Sequence, residues 1–245
     1  MVVRLKGQIL FFTSICQIFL CTVLFKSLAV SLHCIPYRDS SVIARFFTEE
    51  YGLQSFIASG VRSSKSRISP GLFQQLSQVE LVHYLNPGKD LHRLSEIRPV
   101  VHNSFSLSPP KSAIAMFAAE YLSRVLKEHL ESKPLFHFVW NWIRELDKRD
   151  LNFESAHLGL VWHSFSALGI APENWQDLFT GASGPREEEF PVLDAFFSDE
   201  DAFAILKVAS HRRQFFLDAL IRHASTQMEG MGEIKTLSVL RQVFA

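Results

Sequence analysis

The chain has 245 residues, 47% of them hydrophobic and 20% charged, with 25 basic and 25 acidic side chains in balance. That length holds one large domain or two smaller ones around a real core, and the composition excludes a disordered, fibrous or collagen-like chain. The charge is unevenly spread: residues 24–100 carry nine Lys/Arg against six Asp/Glu, and residues 101–245 carry fourteen against nineteen. A surface for a polyanion therefore belongs in the front half.

The three cysteines, Cys16, Cys21 and Cys34, lie near the N-terminus and form no CxxC pair. Neither a disulfide framework nor a cysteine-based zinc site can be built from them, and a reducing compartment is the simpler setting. Residues 1–23 are an awkward prefix. Arg4 and Lys6 precede an apolar run from Ile9 to Phe25. It reads as a signal or short membrane anchor, as a folded apolar element, or as an extension that a misplaced start codon would add. Lys26 interrupts the exit and no clean cleavage site follows, so the segment is left out of the fold reading.

From Phe25 the pattern has a period of two. In FKSLAVSLHC, Leu28, Val30, Leu32 and Cys34 share one face, and Ala29, Ser31 and His33 the other. Pro36 and YRDSS mark a turn, SVIARFF a second strand, and TEEYG a hairpin in which Gly52 takes an unusual backbone conformation. A third strand, LQSFIAS, breaks at Gly60. SQVELVHYL and LHRLSEIRP follow as two more, separated by the NPGKD turn. Five short strands in one stretch suggest a small barrel of the OB or SH3 type. Tyr37, Phe47, Phe56 and Tyr84 are its available aromatics, some of them core.

After Pro99 the period becomes helical. Ser108 is placed as an N-cap with Pro109 first in a helix, followed by helices over PLFHFVWNWIRELDKRD and NFESAHLGLVWHSFSALG, the last closed by Gly169. APENWQDLFTGASGPREEEFPVL reads as a long irregular connection. SDEDAFAILKVAS and HRRQFFLDALIRHAS then read as helices capped by Ser198 and Ser210, and TLSVLRQVF as a short final one. The expected fold class is α+β, an N-terminal OB-fold barrel over residues 24–100 and an α-helical domain over 101–245.

No motif supports catalysis, so the chain is not expected to be an enzyme, and no cofactor is expected. Ser108 and Lys111 match an S-x-x-K spelling, but two prolines separate them and no partner triplets follow. GASGP lacks the strand, lysine and helix of a phosphate cradle. His157 and His163, six apart, fall on nearly opposite helix faces and cannot clamp one metal. Glu187, Glu188 and Glu189 fan out as a solvated loop. Trp140 and Trp142 sit two apart, one in the core and one at its edge.

The stretch with chemistry is SGVRSSKSR. Arg62, Lys65 and Arg67 follow Gly60 within a serine-rich loop. Cations so placed suit backbone phosphates, with small serines leaving the loop room to follow a strand. Arg38 and Arg45, from the first hairpin, are further candidates.

Residues 37–84 resemble the N-terminal barrel of the RecO family. The matching positions are Thr48, Glu49, Gly52, Leu53, Gly60, Val61, Arg62, Lys65, Ser66, Leu76, Glu80 and Tyr84, and the closing GMGEIKTLSVLRQV resembles the end of RecO proteins. The resemblance covers about residues 24–245 and leaves out the prefix, which favours a misplaced start. It implies an OB-fold, a helical domain, and binding of single- and double-stranded DNA. It also implies strand annealing and assistance to recombinase loading in the RecF pathway, with RecR and single-strand-binding protein as partners and a cytoplasmic setting. Two departures stand out. The four cysteines that bind zinc in some members are missing, and Ser59 occupies the position usually held by Lys. The competing reading is a membrane-anchored helical interaction protein.

Overall fold

The computed structural model describes residues 24–66, 68–84, 89–104, 108–127, 132–179 and 184–244. The apolar prefix, Arg67, most of the NPGKD turn and residues 181–183 of GASGP lie outside the described residues.

Five strands close into a barrel: β1 (Leu24–Tyr37), β2 (Ser41–Thr48), β3 (Gly52–Ala58), β4 (Gln78–Tyr84) and β5 (Leu91–Pro99). Their order is β1-β2-β3-β5-β4, with β3 and β5 parallel and the other pairs antiparallel. Closure leaves no long open edge, and the strand order, with β5 between β3 and β4, decides for the OB type over its competitor. Gly52 closes the β2–β3 hairpin at φ 64, where Thr48 Oγ1 accepts from Tyr51 N–H and donates to the Gly52 carbonyl.

Inside the barrel, Ala29, Val42, Ala44, Phe46, Phe56, Val79, Leu81 and Leu94 are buried. Phe46 meets Phe56 and Phe73 edge to face, at 5.9 and 6.1 Å between ring centroids. The opposite face of the same strands is also covered. Val30, Leu32, Phe47 and Leu53 belong to a second core shared with the helices. Phe47 packs on Phe136 at 5.4 Å. Double coverage explains why β1 is buried continuously from Ala29 to Leu32.

One strand face differs from expectation. Ser31 pairs with Phe46 and His33 with Arg45, so Leu32 is an extra residue and β1 bulges there. A bulge inverts the alternation beyond it. Cys34 therefore leaves the face of Leu28, Val30 and Leu32 and packs against the barrel interior.

The helices are α1 (Pro109–Val125), α2 (Lys133–Lys148), α3 (Ala156–Leu168), α4 (Phe190–Ser198), α5 (Ser210–Gln227) and α6 (Leu237–Val243). Ser108 is the N-cap residue of α1 and Pro109 its first residue, as expected, although the Ser108 side chain makes no capping bond. The cap at Ser210 is corrected, because Ser210 is the first residue of α5, its hydroxyl bonded to the Phe244 carbonyl. Trp140 and Trp142 are both buried, at the two edges of one wide apolar face of α2 that also holds Leu135, Phe136, Val139, Ile143 and Leu146, while Asn141 and Arg144 stay exposed. Glu187 and Glu188 are exposed, but Glu189 is buried against Arg212.

The helix expected over residues 198–210 is not formed; α4 lies immediately upstream. Pro191 suits a first turn, and Leu193, Phe196 and Phe197 recur at helical spacing on the buried side. After Ser198 the Asp199 carboxylate accepts from Asp201 N–H at 2.8 Å, and the Asp201 carboxylate from Phe203 N–H at 2.9 Å. Such local bonds compete with a helix.

Three histidines are buried among the described residues, His83, His92 and His157. His83, stacked among Phe25, Tyr51 and Phe56 in the barrel, has its pKa lowered to about 4 by burial and then by the neighbouring His92. His157 is lowered to about 3 by burial and then by the charge of Arg213. Both protonate near 6.5 when unfolded, so the stability they confer is complete above that pH and declines as pH falls toward 4 and 3. The decline is expected to reach about 1.4 kcal/mol per pH unit for His157, and less for His83. Urea midpoints measured from pH 7.5 to 5 check this. A flat profile contradicts it, and His83→Asn should flatten part of the slope.

Candidate functional site

The first hairpin and the loop after β3 meet at one end of the barrel. Tyr37 pairs with Ser41, leaving Arg38, Asp39 and Ser40 at the tip, with Arg38 at φ 52. Gly60, at φ 76 with open space around it, turns the chain out of β3, a geometry glycine adopts without strain. Val61, 3% exposed, pins the loop to the barrel. The next residue then reaches the hairpin twice: Arg62 N–H donates to the Ser40 carbonyl at 2.9 Å, and its guanidinium to the Arg38 carbonyl at 3.3 Å.

The loop is more ordered than its serines suggest. Ser63 N–H donates to the Gly60 carbonyl and Ser66 N–H to the Ser63 carbonyl. The Ser63 hydroxyl accepts from Lys65 N–H at 3.3 Å, and the Ser66 hydroxyl from Ile68 N–H at 3.1 Å. The serines therefore fold the segment into two tight turns.

Arg38, Arg62 and Lys65 are exposed at this end and make no ion pair among the described residues. The Arg38 guanidinium lies over the half-buried ring of Tyr37, 5.1 Å from its centroid. Two other barrel cations are committed: Lys26 pairs with Glu80 at 3.7 Å and Arg98 with Glu96 at 2.7 Å. Arg67 lies outside the described residues. Arg45 stands apart, half-buried on the outer face of β2 between His33 and Ser55, roughly 13 Å along the strand from the tip. Of the four aromatics, Phe47 and Phe56 are core at 0% exposure, while Tyr37 and Tyr84 are half-buried.

The sequence reading missed the rest of this outer face. Ile35 and Leu91 are 45% and 36% exposed, and Ile43 and Ile57 partly so. Arg93, exposed on β5, pairs in register with Ile57. An apolar strip is thus bordered by Arg45 and Arg93 and ends at the Arg38/Arg62 cluster. The period-two pattern of LHRLSEIRP signals which β5 residues face outward, but the parallel β3–β5 pairing that sets Arg93 beside Ile57 has no local signature.

Other features have different chemistry. A cavity of about 930 Å³ beside α1, lined by His33, Cys34, Gln74 and Met116 among others, has no Lys, Arg, Asp or Glu in its described wall and offers phosphate no charge. Lys111 is buried and donates to the Asp147 carbonyl at 2.8 Å in the last turn of α2, a helix-end contact. Glu49 and Glu50 tie the second hairpin to α2 through His137 at 3.2 Å and Lys133 at 2.9 Å.

Residues 23–102 match the family described as Recombination protein O N terminal. The DNA repair protein RecO of Phocaeicola vulgatus is 37% identical over 173 residues, which cover 70% of this chain and 69% of that protein. That of Bacteroides fragilis is 33% identical over 174 residues, 71% of this chain and 69% of the relative. The RecO of Azobacteroides pseudotrichonymphae is 26% identical over 241 residues, spanning 90% of this chain and 99% of its own length. The matched region holds the closed barrel, the Gly60 turn and the Arg62/Lys65 loop, and this chain belongs to the RecO family.

Proposed function

We propose that this chain acts in DNA repair and recombination as a mediator that binds single- and double-stranded DNA, anneals complementary strands and assists recombinase loading in the RecF pathway. It carries out no covalent chemistry in this reading, and it works in the cytoplasm with RecR and single-strand-binding protein. Residues 24–100 are the DNA-binding unit, and residues 101–245 the helical domain that backs it.

The observation that carries the reading is the end of the barrel where Arg38, Arg62 and Lys65 stand exposed, with no ion pair among the described residues, beside an apolar strip. Cations without carboxylate partners are available to phosphates, and their affinity is sequence-independent and salt-sensitive. Flat apolar surface between them suits unstacked bases, as on the strand 2–3 face of oligonucleotide-binding barrels. Arg67 and Arg45 complete the proposed set, Arg67 as a loop cation and Arg45 along the path of the strand.

Among the described residues no helix is long and apolar enough to cross a membrane. Expressing residues 24–245 separates the two readings. The fragment is expected to fold, with a melting temperature and DNA affinity close to those of the full chain, because β1 begins at Leu24. Loss of folding on truncation would make the prefix part of the core. A folded fragment with no affinity for single-stranded DNA at low salt would overturn the mediator reading.

A further inference from the structure

We propose that Arg62 is a positioning residue, fixing the tip of the first hairpin so that Arg38 can meet phosphate; this rests on the reading of the loop as a DNA contact. Three observations converge. Arg38 sits at φ 52, a region that residues with a Cβ occupy only when the surroundings hold them there. The surroundings that hold it come from Arg62: its guanidinium takes the Arg38 carbonyl at 3.3 Å, and its backbone N–H takes the Ser40 carbonyl at 2.9 Å. The Arg38 side chain is then stacked over Tyr37, at 5.1 Å, rather than left to sample solvent.

The loop end of this link is itself anchored. Val61 is buried in the barrel, and the Gly60 turn aims residue 62 at the hairpin. Two loops distant in sequence therefore present their cations as one rigid pair. Lys65 makes no such contact among the described residues; its backbone N–H bonds to Ser63 within its own loop. Arginine at position 62 suits both tasks. A planar guanidinium can spend one N–H on the Arg38 carbonyl and keep others for a phosphate.

The prediction is a lack of additivity. On single-stranded DNA, Lys65→Ala and Arg38→Ala should each lower the slope of log affinity against log salt by about 0.7, one contact apiece. Arg62→Ala should lower it by about 1.4, because its own contact and that of Arg38 are both lost. The double variant Arg38→Ala/Arg62→Ala should then be no worse than Arg62→Ala alone. Hydrogen exchange at Ser40 and Ser41 should quicken in Arg62→Ala and stay unchanged in Lys65→Ala, while Arg62→Lys restores most of the slope. If Arg62→Ala costs only about 0.7 and the double variant is additive, Arg62 is an independent contact and the positioning role is wrong. If none of the three single variants, each checked for an unchanged melting temperature, moves the slope, the loop is not the DNA site and both readings fail.

Discussion

Replacing Gly159 by alanine is expected to destabilise the protein by about 2 kcal/mol, although alanine is the better helix former by about 1 kcal/mol. A Cβ at this position in α3 would lie 1.9 Å from the carbonyl oxygen of Ala202 and 2.7 Å from its carbon. No rotamer relieves such a contact, because both partners are backbone. The segment after α4 carries Ala202, Phe203 and Leu206 into the core, and its approach is fixed by the Asp199 and Asp201 turns and by Ser155, which accepts from Leu206 N–H at 3.1 Å. Either α3 or this segment must move. Phe203 would then lose its stack on Trp142, now at 5.9 Å. A urea denaturation curve measures the change. A Gly159→Ala variant as stable as the parent would show that Ala202 does not pack on the helix.

Removing the Arg212 guanidinium, as in Arg212→Met, is expected to cost about 2 kcal/mol. Glu189 accepts from Arg212 Nε at 2.6 Å and from Arg186 N–H at 2.8 Å, and its side chain is only 10% exposed. The Arg212 hydrogen bond, then the Arg186 N–H, hold its carboxyl below the usual carboxylate range against the opposing effect of burial. Without Arg212 the carboxylate is left covered and uncompensated. The Arg212 side chain keeps 17% exposure, with the half-buried Phe215 and the buried Phe216 beside the guanidinium at 4.4 and 5.2 Å, so the cost falls short of the roughly 3–5 kcal/mol of a deep pair. The double variant Arg212→Met/Glu189→Gln should recover much of the loss. If the single variant proves neutral, the pair is a solvated one and Glu189 belongs with its exposed neighbours after all.

These positions show what the sequence made legible. Period-two alternation located β2, β3 and β5 to within a residue or two, since each strand keeps its pleat and the turns around them carry glycine or proline. Helical spacing located α1, α2, α3 and α5 for the same reason. Parity failed beyond Leu32, at Cys34, because a bulge is a decision of the β1–β2 register and leaves no mark in an apolar run. The helix over 198–210 failed because Asp199 and Asp201 could equally cap a helix or bond their own backbone. Burial of Phe196 and of Phe197, whose ring meets Trp162 of α3 at 4.7 Å, selects the upstream segment.

The candidate site divides along the same line. Arg62 and Lys65 were visible as cations after a turn glycine. Their neighbours were not. That Arg62 would hold the hairpin of Arg38, that Arg45 would stand apart on the strand, and that Arg93 would border the same strip all follow from β1–β2–β3–β5 adjacency. The hairpin contact joins residues 24 apart, and Arg93 pairs with Ile57 across a parallel edge, both beyond the reach of local pattern. Glu189 illustrates the converse: three consecutive glutamates look alike until the fold places one against an arginine.

The central claim is that the loop after β3 holds the phosphate backbone, and the salt dependence of binding tests it most directly. Arg62, Lys65 and Arg67 are changed together to alanine, and affinity for a single-stranded oligonucleotide is measured across a salt series. At about 0.7 per contact, the slope of log affinity against log salt should fall by at least roughly 2. The loss should be nearly equal across sequences, because phosphate contacts position a strand without reading it. Folding should be spared, since exposed loop substitutions change stability by under about 0.5 kcal/mol. A folded triple variant with the parent's slope would contradict the account and move the DNA site elsewhere on the barrel.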